Sequence, residues 1–144
     1  MWLILLALVR FYIVWKNHHD LFEKAHNITT RTFILNGIWV FFCTLVPFHT
    51  HWIGNSYNHT LPELLYIVDL ALWTISFQVM DINVLKDNPS ASRDSTGHRH
   101  LLILIFAGFI IAGVIAFIRP ALTLCVMLVF TVLEVIWMML NKES

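Results

Sequence analysis

Apolar residues are gathered into five long runs separated by shorter polar segments. A helix that spans the hydrocarbon core of a bilayer needs about 20 mostly apolar residues, within a range of about 17–25. The last four runs meet that length, and the first resembles the end of a longer helix. The pattern predicts an all-α, polytopic transmembrane helix bundle that forms one domain over residues 1–144. Its helices are expected at approximately 1–15, 33–53, 64–85, 101–118 and 121–140.

Composition points the same way. Hydrophobic residues make up 58% of the chain and charged residues 12%, about half of the ~25% typical of globular proteins. So few charges would leave a small soluble domain with large apolar patches facing water. Lys and Arg balance Asp and Glu at nine each, and no basic block is present to hold a phosphate backbone. We therefore do not expect a soluble enzyme, a disordered tail or a nucleic-acid partner, and we expect the chain to lie in a lipid bilayer.

Two features of the runs need interpretation. Residues 101–140 as one helix would be about 60 Å long, twice the hydrocarbon thickness, so Pro120 is expected to divide them into two spans joined by a tight turn. The first run could instead be a signal peptide, but it lacks a basic leading region and a small-residue cleavage site. We therefore interpret it as part of a span.

Basic residues are distributed unequally between the two sides. Of the Lys and Arg residues outside the apolar runs, seven lie in segments predicted on one side of the membrane and only Arg119 lies on the other. This is a positive-inside pattern. It predicts a cytoplasmic C-terminus and Met1 outside. Without a targeting segment, a chain of this size suits a bacterial inner membrane. The seven are Lys16, Lys24, Arg31, Lys86, Arg93, Arg99 and Lys142.

Four charged residues lie inside the predicted spans, where ionisable groups are costly and mark function or a buried partner. Arg10, Asp81 and Glu134 are each expected about 7–11 Å from the cytoplasmic side at about 1.5 Å per residue, so they could form a pair or cluster. Asp69 lies nearer the other side, with no basic residue predicted at its depth. Alternatively, Arg10 reaches the surface with its long side chain and the acids face a subunit contact.

Eight histidines invite a metal hypothesis. The predicted topology puts His18 and His19 on the cytoplasmic side and His49 and His51 at the other side, so one site could not collect them all. Neither an HExxH helix nor another recognised catalytic motif is present. We therefore expect interfacial polar residues, with no metal, no cofactor and no enzymatic activity.

Three motifs carry a resemblance to a known family. Residues 15–22 read W-K-N-H-H-D-L-F, an Asn lies early in the next helix, and residues 47–52 read P-F-H-T-H-W. In this order they resemble the transmembrane protein 175 family, the endosomal and lysosomal potassium channels and their bacterial relatives. The matching positions are Trp15, Asn17, His18, His19, Asn36, Pro47 and Phe48.

The resemblance implies a tetrameric potassium leak channel with six helices in each subunit. In that family the first helix lines the pore and carries an Arg and a Phe-Ser-Asp-Gly motif, which occurs nowhere in this chain. We therefore expect an N-terminally truncated homo-oligomeric channel subunit whose own residues include no pore filter. The matched residues would be scaffold: Asn36 could hydrogen-bond between helices, and Pro47 would kink its helix. The alternative is a non-conducting membrane scaffold that associates with intact channel subunits.

Overall fold

The chain is described from a computed structural model, which describes the backbone of residues 2–56, 58–90 and 95–140. Side chains are described for residues 8, 9, 11–56, 58–90, 100–137, 139 and 140. Over the described backbone every regular element is helical, so the all-α prediction with five helices is confirmed. The helices are α1 (Trp2–Glu23), α2 (Thr30–Asn55), α3 (Thr60–Asp87), α4 (Ser95–Ile118) and α5 (Thr123–Leu140).

Four of these helices are long and apolar enough to cross a membrane. The qualifying stretches are Thr30–Asn55, Thr60–Asp87, His100–Ile118 and Pro120–Trp137. The predicted break between the last two spans is confirmed, since α4 ends at Ile118 and a single 3₁₀ turn, Pro120–Leu122, leads into α5. Proline starts that turn because its fixed φ suits a first helical position and it has no N–H to satisfy.

Three predicted helix ends are wrong, among them the start of α4, which lies at Ser95 and not near residue 101. The first helix does not end near residue 15 but continues to Glu23, because residues 16–22 contain no Gly or Pro and Lys16 pairs with Asp20 one turn later. Lys16, His18 and His19 therefore belong to a helix and not to a loop. The third helix begins at Thr60, four residues before the apolar run itself begins, so Glu63 lies inside a span.

Side-chain contacts define the two ends of the bundle. At one end the α1–α2 turn meets the end of α3, where the Asn27 N–H donates to Asn88 Oδ1 at 2.8 Å. At the other end the α2–α3 turn meets the α4–α5 turn, where the Ala121 N–H donates to Asn58 Oδ1 at 3.4 Å. We call these the α1–α2 end and the α2–α3 end.

The core is built around α3. That helix contributes 13 buried residues, whereas α2 contributes four, and Leu70, Met80 and Val84 are almost fully enclosed. The other helices expose much of their apolar surface, as expected of sides that meet lipid or further subunits. One face of α3 packs against the neighbouring helices, and its buried polar residues, among them Asp69 and Asp81, face protein and define the interior sites.

Candidate functional site

A cavity of about 250 Å³ lies between α1, α3, α4 and α5, towards the α1–α2 end. Its apolar wall includes Leu101, Leu102 and Ile105 of α4. The other three helices contribute the polar groups, which is unusual inside an apolar bundle and marks a candidate site. The polar lining residues are Asn17, Asp20, Lys24, Thr74, Gln78, Asp81 and Glu134.

Helical periodicity explains how these groups converge. On α3, residues 74, 78, 81 and 85 are spaced by three or four positions and share one face. On α1, residues 13, 17, 20 and 24 have the same spacing. Each helix therefore presents a continuous stripe to the cavity, and α5 completes the wall with Glu134.

The two carboxylates of Asp81 and Glu134 are the deepest charges of the cavity, with 2% and 6% of each residue exposed. Each lies six residues before the end of its helix, about 9 Å along the axis at about 1.5 Å per residue. The structure thus brings together two of the charges for which the sequence predicted a cluster. Both also interact within the protein.

The predicted third member of that cluster is Arg10. Its side chain is outside the described residues, and its backbone lies 13 residues before the end of α1, farther from the α1–α2 end than the predicted helix boundary implied. The pairing stays a prediction. If it is present, Arg10→Glu combined with Glu134→Arg or Asp81→Arg should restore the assembly that the single variants lose.

A polar and aromatic junction joins α1 to α2 beside the cavity. His18 Nε2 donates to Asn36 Oδ1 at 2.7 Å, which is the interhelical hydrogen bond expected for Asn36. The His18 ring stacks on Trp39, with the ring centroids 4.3 Å apart. Trp39 in turn packs on Trp73, which lines the cavity. The aromatic contacts run from α1 through α2 to α3.

A second buried polar pair lies nearer the α2–α3 end. His49 Nδ1 is 3.2 Å from Asp69 Oδ2, and both residues are buried. The prediction that Asp69 has no basic residue at its depth is therefore wrong. His49 was assigned to the interface, but α2 continues to Asn55, so His49 lies six residues inside the end of the helix. The other oxygen of Asp69, Oδ1, is buried without a hydrogen-bond partner.

Polar side chains also fasten the α1–α2 end. Asn88 Nδ2 donates to the carbonyl oxygens of Asn27 at 3.0 Å and Val84 at 2.9 Å, while its Oδ1 accepts the Asn27 N–H. One turn earlier, Asn83 Nδ2 donates to Thr32 Oγ1 at 2.7 Å. Asn88 thus uses both ends of its amide, and Asn83 Nδ2 also donates to Asp87 Oδ2 at 3.2 Å, so side-chain amides link α3 to α2 and to the α1–α2 turn at this end of the bundle.

The remaining motif residues do not converge on the cavity. Only Asn17 lines it, and His18 and Asn36 meet beside it. Trp15 and Phe48 are exposed, at 54% and 61%, and His19 and Pro47 are exposed as well. α2 continues through Pro47 to Asn55 as one helix.

Sequence reasoning missed several interior polar residues. Glu63 is 2% exposed and its Oε2 has no hydrogen-bond partner; it was missed because it precedes the apolar run. Pro62 and Glu63 are a start signal of the kind found in the first turn of a helix, and they could have extended the prediction. Asn83 and Asn88 gave no comparable signal, because their roles depend on contacts with distant residues.

Among the described residues, no three His, Cys, Asp or Glu side chains lie close enough to hold a metal ion. The cavity instead combines carboxylates, amides and aromatic rings with an apolar wall. Such a set can hold a polar or cationic organic group better than a bare metal ion.

Part of the chain is similar in sequence to a known protein. The chain is 27% identical over 74 residues to a potassium channel of Chryseobacterium sp. (strain P1-3). The aligned part is 51% of this chain and 38% of the relative, so it spans well under half of the relative's length. No family model matches the chain, and no solved structure matches it. The similarity and the four spanning helices indicate a membrane protein related to a potassium channel.

Proposed function

We propose that this chain is a subunit of a potassium-selective leak channel. The similarity to the Chryseobacterium potassium channel is the observation that carries the proposal. The motif order at residues 15–22 and 47–52 agrees with it through the resemblance to the transmembrane protein 175 family. Under this proposal the chain acts as a channel component and not as an enzyme.

The proposal includes an assembly and an orientation. The subunits form a homo-oligomer, a tetramer by family resemblance, in a bacterial inner membrane with the C-terminus in the cytoplasm. Exposed apolar side chains on α2, including Phe33, Ile34 and Phe41, supply surface that lipid or neighbouring subunits can cover. The described cavity lies inside one subunit, so the ion path itself is expected between subunits.

Potassium flux through the chain alone tests this function. Purified protein is reconstituted into vesicles loaded with K⁺ and placed in K⁺-free buffer, and the K⁺ that leaves down the outward gradient is measured. Valinomycin is added at the end to release the remaining K⁺ and so to give the total. We expect efflux above that of protein-free vesicles and much less in matched Na⁺ vesicles. Flux equal to that of protein-free vesicles would contradict conduction by this chain.

A matched pair of variants separates scaffold from pore. Asn36→Leu removes the bond to His18, whereas Asn55→Leu removes an exposed asparagine bonded to His51 on its own helix. We expect Asn36→Leu to reduce the yield of assembled oligomer without changing the K⁺-to-Na⁺ flux ratio, and Asn55→Leu to change neither. A changed ratio in Asn36→Leu would place this residue in the ion path.

The second candidate is a non-conducting scaffold that associates with intact channel subunits. The large exposed apolar surface favours it, since such a surface also suits contact with other membrane proteins. Absence of flux together with co-purification of a longer channel subunit would support this alternative.

A further inference from the structure

We propose that the cavity between α1, α3, α4 and α5 is filled with water, which enters at the α1–α2 end and reaches Trp73 in the middle of the bundle. The subunit thus contains an aqueous pocket for water and small hydrophilic solutes, open to one side of the membrane. This property goes beyond the proposed channel function and does not depend on it, because it needs only the folded chain in a bilayer.

The first argument is the opening and the depth of the cavity. Lys24 lines it and is exposed just beyond the last residue of α1, so the cavity opens at the α1–α2 end. Trp73 also lines it and lies 14 residues before the end of α3, about 21 Å along the axis at about 1.5 Å per residue. Since α3 has 28 residues, the cavity extends to the middle of a spanning helix.

The second argument is the difference between two faces of α3. The face that lines the cavity carries Thr74, Gln78 and Asp81, whereas the exposed face at the same depths is apolar. A helix surface that meets lipid tails is apolar because the transfer of polar groups to hydrocarbon is costly. The cavity face therefore suits water better than it suits an acyl chain. The residues of the exposed face are Leu72, Ile75, Val79 and Ile82.

The third argument is the size of the cavity. Its volume is about 250 Å³, whereas a polar cavity needs only about 10–15 Å³ by a similar measure to hold one water molecule. Ionisable residues inside a membrane protein face either protein or a water-filled cavity, and Asp81 and Glu134 border this one. Both interact within the protein, and hydration of the cavity does not require either charge to be free.

The fourth argument is a buried donor at the deep end of the cavity. Trp73 is 3% exposed, and its indole N–H has no hydrogen-bond acceptor, which is unfavourable for a buried donor. Thr74 is next to it in the chain, and Asn17 lies at a similar depth, because the neighbouring His18 stacks on Trp39, which packs on Trp73. A water molecule here can accept the N–H and donate to both polar side chains, about three contacts being usual for a buried water.

Hydrogen exchange in the unaltered chain tests whether water reaches Trp73. Trp39 is the internal control, because it is buried to a similar extent, its indole N–H also has no acceptor, and it is not among the described lining residues. Protein with ¹⁵N-labelled indoles is placed in lipid nanodiscs and transferred to D₂O, and both indole signals are followed by NMR. We expect the Trp73 N–H to exchange about tenfold faster or more. Exchange no faster than that of Trp39 overturns the proposal.

Cysteine accessibility tests the side from which water enters. In a chain with Cys43→Ala and Cys125→Ala, Thr74→Cys lies in the cavity and Ile75→Cys lies on the exposed face at nearly the same depth. Trimethylammonioethyl methanethiosulfonate, which does not cross membranes, is added to right-side-out or inverted membrane vesicles. Because the thiolate reacts and a thiol in lipid stays protonated, we expect Thr74→Cys to react about tenfold faster or more than Ile75→Cys. It should react from the same side as Lys24→Cys.

Equal rates for the two cysteines, or reaction of the cavity cysteine from the opposite side alone, overturn the proposal. Gln78→Cys and Val79→Cys repeat the comparison one turn nearer the mouth, so the result does not depend on one variant that fails to fold. Labelling after denaturation gives the total thiol of each variant. Because neither experiment measures ion movement, failure of this proposal is distinguishable from a failure of potassium flux.

Discussion

The helix pairs α2–α3 and α4–α5 are held together in different ways. Polar side chains link α2 to α3 near both ends of the pair, through Thr32 with Asn83 and His49 with Asp69. α4 and α5 approach closely at Gly108, where a Cβ atom would lie 2.7 Å from Cγ of Phe130. Lipid tails remove the hydrophobic drive for helix association, so hydrogen bonds and small residues take its place. This chain uses both solutions in neighbouring pairs.

The polar contacts between α2 and α3 also carry a cost in stability. The α2–α3 pair buries an ionisable residue beside a histidine and leaves Asp69 Oδ1 without a partner. The glycine contact buries no charge. A polar link therefore fixes the relative position of two helices, but the protein loses much stability when one partner is removed. Close packing contributes less stability, and it leaves no buried charge unpaired when it is disturbed.

Breaking the buried polar pair should have the largest effect. His49→Leu leaves Asp69 buried without its imidazole partner, and we expect it to lower the free energy of unfolding by about 3 kcal/mol. The double variant His49→Leu/Asp69→Leu should recover most of that loss, because no buried acid remains. Denaturant titration of the purified protein in micelles measures both. A double variant as unstable as the single one would show that the pair does not carry the cost.

Removing the amide at the α1–α2 end should have the next largest effect. Asn88→Ala loses three hydrogen bonds, two to Asn27 and one to Val84, and we expect a loss of about 2 kcal/mol. The same titration measures it, and Asn55→Ala, on the exposed end of α2, is the control. Equal stability of the two variants would contradict the fastening role of Asn88.

The close contact of α4 with α5 should respond more modestly. Gly108→Ala places a methyl group against the Phe130 side chain, and we expect a loss of about 1–2 kcal/mol from overpacking. Gly113 on the same helix has nothing within 4 Å of an added Cβ. Gly113→Ala should therefore be neutral or slightly stabilising, since alanine is the better helix former. Thermal unfolding of both variants checks the difference, and an equal loss in both would remove close packing as the explanation.

The smallest expected effect has the opposite sign. Glu63→Met replaces a buried carboxylate whose Oε2 has no partner with an apolar side chain of similar length, and we expect a gain of about 1 kcal/mol. Thermal unfolding measures the gain. A loss of stability would show that Glu63 makes a necessary contact in the assembled protein.

Much of the fold could be predicted because apolar run length and Pro120 report directly on spans and turns. The end of α1 and the start of α3 could not be predicted from run length, because polar residues continue both helices beyond the apolar runs. Lys16 does so through its pairing with Asp20, and Glu63 does so in the first turn of α3. In the site, Asp81 and Glu134 were found by their charge in an apolar run. The partners of Asp69 and Asn88 were not, because His49 and Asn27 reach them only through the packing of separate helices.

The short connection at Pro120 has a consequence for biosynthesis. Only residues 119–122 separate the last turn of α4 from the first turn of α5, and a 3₁₀ turn occupies three of these four positions. So short a link does not allow one helix to insert into the bilayer while the other is still in water. The two helices must enter the membrane together as a hairpin. In the proposed orientation this tip is carried across the bilayer, so a positive charge added beside Arg119 would have to cross with both helices or reverse them both.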